Sequence, residues 1–124
     1  MKYLLDSNIL ILIGKAESDT LFRRLAECDE GDLVTSAVAY AEVALGSAKG
    51  KPPKMERLKM LVEEVPVLDF DYKAALAYAT LPFKRNGFDR LIAAHAKSHG
   101  LTVVTNNVAH FADMPDLSVE NWTE

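Results

Sequence analysis

A lone cysteine, Cys28, leaves the chain without any possible intramolecular disulfide, which suits a reducing cytosol and excludes the disulfide-stapled secreted class. No catalytic partner motif surrounds Cys28, so it reads as small apolar filler on a helix. Long apolar runs are missing too, and none approaches the ~18 residues needed to cross a bilayer. Met1-Lys2 leads straight into the first strand without the apolar segment and cleavage site of a signal peptide, so the expected location is cytoplasmic. Nor is there an excess of positive charge. Fourteen Lys and Arg face eighteen Asp and Glu, a net charge of −4, which argues against a whole-surface nucleic-acid binder but leaves room for a local basic strip. Repeats, low-complexity tracts and linkers are absent, and the 124 residues are read as one domain, 1–124.

What is present is an alternation of short apolar runs with amphipathic helices, the pattern of a mostly parallel α/β sheet covered on both faces. Strands are predicted at 3–5, 32–35, 65–68 and 101–104, with a short fifth at 117–119. Helices are predicted at 8–14 and 20–28, and from the N-cap Ser36 to a break at 49–53. A fourth has Pro53 in its first turn and carries Met55, Leu58, Leu61 and Val62. A fifth covers 71–79, and a sixth opens at Asp89 and stops at Gly100, the C′ residue. Helical spacing marks Leu21, Phe22, Leu25 and Ala26 as one apolar stripe and turns Tyr72, Ala75, Leu76 and Ala79 inward. The same spacing puts Val38, Ala41, Glu42 and Leu45 on the face toward the sheet.

Three carboxylates stand out against this frame. Asp6 follows the first strand, where open α/β sheets bind ligands, yet it serves equally well as a helix cap. Glu42 lies within or beside an apolar stripe, where an unpaired charge costs several kcal/mol unless a cation meets it. Taken alone, a glutamate at the edge of that stripe, reaching solvent or a lysine, is the better reading. Asp89 opens an apolar helix and is favoured there by the helix dipole alone. Thr105-Asn106-Asn107 closes the fourth strand and adds a hydroxyl and two amides. Jointly the four clusters fall where one crevice forms. Converging carboxylates favour a hard divalent cation, and such a cation favours phosphate chemistry.

These segments, LLDSNIL around Asp6, AYAEVALG around Glu42, FDRLIAAHA around Asp89 and VVTNNVAHF from Val103, resemble the ordered motifs of PIN-domain nucleases. Within that family the chain looks most like the VapC-type toxins of bacterial toxin–antitoxin pairs, and the resemblance extends through Leu117 to Trp122. It implies a three-layer PIN-like fold with a sheet of four or five strands, and a Mg2+- or Mn2+-dependent endoribonuclease. It further implies a homodimer and inhibition by a small antitoxin. On this reading Asp6, Glu42 and Asp89 hold the metal, while Thr105 and Asn106 orient ligands or the phosphate from behind. Many PIN domains carry an aspartate where this chain has Asn107. The amide can ligate or hold a water but adds no charge, which weakens the case for tight binding of a second metal while leaving the number of metals open.

The remaining polar residues carry less. His95 is read as a packing or surface group, and His99 and His110 have no acid or ligand partner at a recognisable spacing. Lys49, Lys51, Lys54, Arg57 and Lys59 read as a solvated face, whereas Lys84, Arg85 and Arg90, beside Asp89, are candidates for RNA contact. Surplus apolar surface on 10–13 and 55–62 is expected to meet a second copy and an antitoxin. Two other functions fit the pattern less well. One is a receiver-like Mg2+-binding domain with Asp69 as phosphoacceptor and Thr105 as its hydroxyl. The other is an inactive α/β protein-binding module.

Overall fold

Strand β1 (Tyr3–Leu5) lies at the centre of a five-stranded sheet whose order is β3-β2-β1-β4-β5, every neighbouring pair parallel. The computed structural model describes residues 1–82 and 87–124. The other strands are β2 (Leu33–Ser36), β3 (Val67–Leu68), β4 (Thr102–Val104) and β5 (Val119–Glu120). Between them run α1 (Ser7–Lys15), α2 (Asp19–Ala26), α3 (Ala37–Ala48), α4 (Met55–Leu61), α5 (Tyr72–Tyr78) and α6 (Phe88–Ser98), and a 3-10 helix at Val108–Phe111. From β1 the order proceeds outward in both directions, which places helices on both faces of a parallel sheet. Leu5 pairs with Thr35 on one side and Val104 on the other, so the ends of three strands finish level. Leu4, Leu5, Val103 and Val104 are wholly buried, as strands covered on two faces require.

Local chemistry explains where the helices start and stop. Asp6, Ser18, Ser36 and Asp71 each accept a backbone N–H from the first turn of the helix that follows. Gly100 ends α6 at φ +66, a conformation that costs a residue with a side chain far more. Gly14 serves a different need, because a Cβ there would lie 2.5 Å from the Pro53 ring. Its absence lets α1 approach the segment that leads into α4. Pro53 itself sits before the N-cap Lys54, not in the first turn of α4. The C-terminal segment buttresses the sheet edge: Trp122 packs edge-on against Tyr3 at 4.7 Å and under the Arg24 guanidinium at 4.9 Å, while its Nε1 donates to Glu120 at 3.0 Å.

Two helix faces are turned away from where periodicity puts them. On α5, Tyr72 and Leu76 are 76% and 53% exposed, Ala75 and Ala79 are also exposed, and the buried residue is Ala74. The helix is apolar on both sides, and small Ala74 and Ala77 admit α6 more closely than Tyr72 and Leu76 would. On α3 the buried positions are Ala39 and Val43, whereas Leu45 is 59% exposed, Ala41 is exposed and Val38 is half-buried. Alanine and valine surround this helix, so spacing does not choose a face. Phe22 and Ala26 of α2 are likewise exposed, and Leu21 is the buried member of that stripe. The surplus expected on 10–13 and 55–62 is largely consumed: Leu10 and Leu58 are buried, and Ile11, Leu12, Ile13, Leu61 and Val62 are half-buried.

His95 is wholly buried, with Nδ1 2.8 Å from the Ser36 hydroxyl and Phe70 edge-on at 5.4 Å. Burial, reinforced by neighbouring His99, pushes its pKa below the usual value of 6.5 against the pull of Asp71 and Asp69. The unfolded chain then takes up a proton that the folded chain resists, so this group subtracts stability as the pH falls below about 6.5. The loss of denaturation free energy between about pH 7.5 and pH 5 should therefore be smaller in His95→Gln than in the unaltered chain. Equal losses in urea melts of the two would show that His95 contributes nothing to acid sensitivity.

Candidate active site

The crevice forms at the carboxyl end of β1, where the strand order departs toward β2 on one side and β4 on the other. Asp6 leaves β1 in extended conformation, and its backbone N–H donates to the Val104 carbonyl at 3.1 Å. Its side chain turns onto α1, where Oδ1 accepts the Ile9 N–H at 3.0 Å. Capping and ligand-facing placement therefore coexist in one residue. Asp6 is only 3% exposed, and the Thr105 hydroxyl also hydrogen-bonds its carboxylate. Thr105 is itself fully buried, and its Oγ1 accepts the Asn107 N–H at 3.0 Å. The hydroxyl thus turns its proton toward Asp6 and a lone pair toward the Asn107 backbone.

Glu42 reaches the crevice from the half-buried side of α3. Its Oε1 accepts the Ser7 hydroxyl at 2.7 Å, a contact that joins the first turn of α1 to α3. Beside it an apolar groove between α3 and α6 is lined by Val38, Ala41, Leu45, Phe88 and Leu91. Asp89 sits in the first turn of α6, where the helix dipole favours negative charge, and its Oδ2 accepts from His110 Nδ1 at 2.9 Å. His110 thus has an acidic partner that sequence spacing does not reveal. Its Nε2 faces Asn107 Nδ2 at 3.0 Å, so the Asn107 amide is engaged with a side chain of its own 3-10 helix.

The electrostatics mark the site as charge-rich. Burial raises the Asp6 pKa from 3.8 to about 6; the Thr105 and Ile9 hydrogen bonds oppose this, and the charges of Asp89 and Glu42 add to it. Glu42 is also raised, first by burial and then by Asp89, against the Ser7 bond. All three carboxylates therefore feel one another. Among the described residues no three His, Cys, Asp or Glu side chains close to chelating distance. An all-oxygen donor set of this kind fits a hard cation such as Mg2+, which takes one or two carboxylates directly and keeps several waters.

Other expected contributors are distributed differently. Asn106 is exposed at the rim of the crevice. Arg90 is not available to RNA: it is 3% exposed, and its Nη2 binds both oxygens of Asp113, at 3.0 and 2.8 Å. A buried guanidinium needs such a partner, and this one ties α6 to the segment after the 3-10 helix. Lys84 and Arg85 lie outside the described residues. Asp69 is exposed at the end of edge strand β3, two strands and about 10 Å from β1, too far to share a site with Asp6. The residues missed in the sequence are Ser7, His110 and Asp113. Ser7 is the immediate neighbour of Asp6, and His110 stands three residues after Asn107, the spacing that a 3-10 turn brings onto one side.

A family model described as PIN domain matches residues 3–117. The chain is 31% identical to the tRNA(fMet)-specific endonuclease VapC of Shigella flexneri, with 99% of each sequence covered. Among solved structures it is similar to a chain of VapBC2 from Rickettsia felis bound to a DNA fragment from their promoter. That match has a TM-score of 0.85 and 28% identity, over 98% of this chain and 99% of the other. It is also similar to a chain of VapBC-1 from nontypeable Haemophilus influenzae, with a TM-score of 0.82 and 29% identity over 100% of both.

The Asp6 shift has a direct consequence for stability. The folded chain holds the Asp6 proton more tightly than the unfolded chain, whose carboxyl titrates near 3.8. Ionisation of Asp6 therefore costs stability above pH 6, and the cost fades as the pH falls from about 6 toward 3.8. A shift of this size corresponds to about 3 kcal/mol. In EDTA at neutral pH, Asp6→Asn, which keeps the capping oxygen, should be the more stable protein by about 1–3 kcal/mol. Its advantage should shrink on acidification. An Asp6→Asn variant that melts earlier than the unaltered chain in urea at neutral pH would contradict this account of the crevice.

Proposed function

The chain belongs to the PIN-domain family and is an endoribonuclease of the VapC toxin type, and from that premise we propose that it hydrolyses RNA phosphodiester bonds at Asp6, Glu42 and Asp89 with Mg2+ or Mn2+. The observation that carries this reading is the meeting of three mutually repelling carboxylates at the sheet's switch point, two of them raised by burial and by neighbouring negative charge. A bound divalent ion would offset that repulsion, lower the pKa of a water and neutralise charge on the scissile phosphate. The protein's own part is orientation. The α1 N-terminus and Thr105 fix Asp6, Ser7 fixes Glu42, and the α6 N-terminus holds Asp89. Asn106, exposed after β4, is proposed to orient ligands or the phosphate, and Lys84 and Arg85 are proposed as contacts to the RNA backbone.

The partners follow from the same premise. The Shigella relative is named for tRNA(fMet), so tRNA is the first substrate to try. The solved relatives are VapBC complexes, and a small antitoxin is the partner proposed here, its basic side chain competing with the cation for the crevice. A homodimer is proposed through the exposed apolar faces of α3 and α6, where Leu45 and Phe88 are 59% and 55% exposed, and not through α1 and α4. The proposed compartment is the cytoplasm, where RNA and antitoxin are made.

Incubation of the purified chain with tRNA should give endonucleolytic products with Mn2+ or Mg2+ and none in EDTA. Asp6→Asn and Asp89→Asn should each lower the rate by about 100-fold or more while circular dichroism stays native. Wild-type rates in either variant would overturn the site, and intact tRNA in every condition would count against this substrate class. By light scattering the unaltered chain should run at twice its chain mass and Leu45→Glu at once its mass. A monomeric unaltered chain would exclude the proposed dimer.

A further inference from the structure

Asp89 and Arg90 are adjacent in the first turn of α6, and each binds a residue of the segment that follows β4: Asp89 takes His110 and Arg90 takes Asp113. The two partners are themselves three residues apart. They form a double clasp between the start of α6 and the 3-10 helix, whose Phe111 is 2% exposed and anchored in the core with Met114. His110 is therefore carried on a fixed support although its side chain is 56% exposed.

The donors and acceptors around the ring define one protonation pattern. The Asp89 carboxylate only accepts, so His110 Nδ1 must carry a hydrogen. The Asn107 Nδ2 group only donates, so Nε2 must present its lone pair. The ring is thus the neutral Nδ1–H tautomer, the one that free histidine favours less. Asn107 selects it, and Asn107 is held in turn by Thr105, which also contacts Asp6. Thr105 thus holds the Asn107 backbone, and the Asn107 side chain in turn meets His110, which binds Asp89.

We propose that Asn107 and His110 form a positioning relay for Asp89, engaging its Oδ2 so that Oδ1 alone is presented to the crevice. The inference rests on the reading of Asp89 as a cation-holding group. It assigns Asn107 a role through His110 in place of direct ligation. Hydrogen-bonded partners of this kind set the orientation and basicity of a metal-holding side chain, and their loss typically weakens metal binding about 10–100-fold.

Two measurements test the relay. The first is the long-range 1H–15N spectrum of the metal-free chain, taken above the imidazole titration range. His110 should show the Nδ1–H pattern, and Asn107→Ala should return it toward the Nε2–H pattern of free histidine. The second is calorimetric titration with Mn2+. His110→Ala should weaken binding about tenfold, and His110→Gln, whose amide N–H can still donate to Asp89, should recover most of it. Asn107→Ala should weaken binding in the unaltered chain and have no further effect in the His110→Ala background. An Nε2–H ring in the unaltered chain, or a tautomer indifferent to Asn107, overturns the relay. So does Mn2+ affinity unchanged in His110→Ala, and so does an Asn107→Ala effect that persists without His110, which would make Asn107 a ligand. If the unaltered chain binds no Mn2+ while the tautomer and its dependence on Asn107 hold, the cation-holding reading fails and the hydrogen-bonded relay is supported.

Discussion

A carboxylate that is 3% exposed at the end of the central strand is the constraint around which the rest of this molecule is arranged. Asp6 can be buried because one oxygen caps α1 and because Thr105 meets it from β4, but these bonds do not fully offset the loss of water. The elements that supply them need β1 flanked on both sides, which the order β3-β2-β1-β4-β5 provides. Thr35 reinforces the same point from β2, donating its hydroxyl to the Leu5 carbonyl at 2.7 Å. The sheet thus holds one strand end still on both flanks and leaves excess negative charge there. That excess is what the proposed cation, or a basic side chain of the proposed partner, would relieve.

The backbone pattern is largely legible in the sequence because it depends on local signals. Ser36 as a cap, Gly100 beyond α6, and the order of strands and helices all follow from residues within one turn of the feature they determine. Asp6, Glu42 and Asp89 are legible as candidates for the same reason, each standing out within its own strand end or helix. Helix orientation is not. The sequences of α3 and α5 are apolar on more than one side, so the buried face is chosen by which residues are small enough to admit a neighbour: Ala39 on α3, and Ala74 and Ala77 on α5. The partners of charged groups are equally hidden. Nothing near Arg90 announces Asp113, and nothing near Asp89 announces His110, because each pairing spans more than twenty residues.

The true face of α3 bears on function. Helical spacing puts Glu42 on a stripe that does not face the sheet, yet it reaches the crevice because its long side chain bends toward Ser7. That stripe instead forms the wall of an apolar groove with Phe88 and Leu91, and Glu42 belongs to both groove and crevice. The acid nearest the exposed apolar surface is therefore also one whose ionisation burial already opposes.

Association through the proposed groove interface would couple to chemistry at that residue by solvation. Any chain that covers Leu45 and Phe88 withdraws water from the Glu42 side of the crevice. Withdrawal raises the cost of its negative charge and would strengthen its pull on the proposed cation shared with Asp89. Asp89 and Arg90 answer to the other end of the molecule, through His110 and Asp113, so the crevice is framed by one apolar wall open to a partner and one polar clasp within the chain. A partner seated on the groove can then change how strongly the acids demand a cation without touching the clasp that orients Asp89.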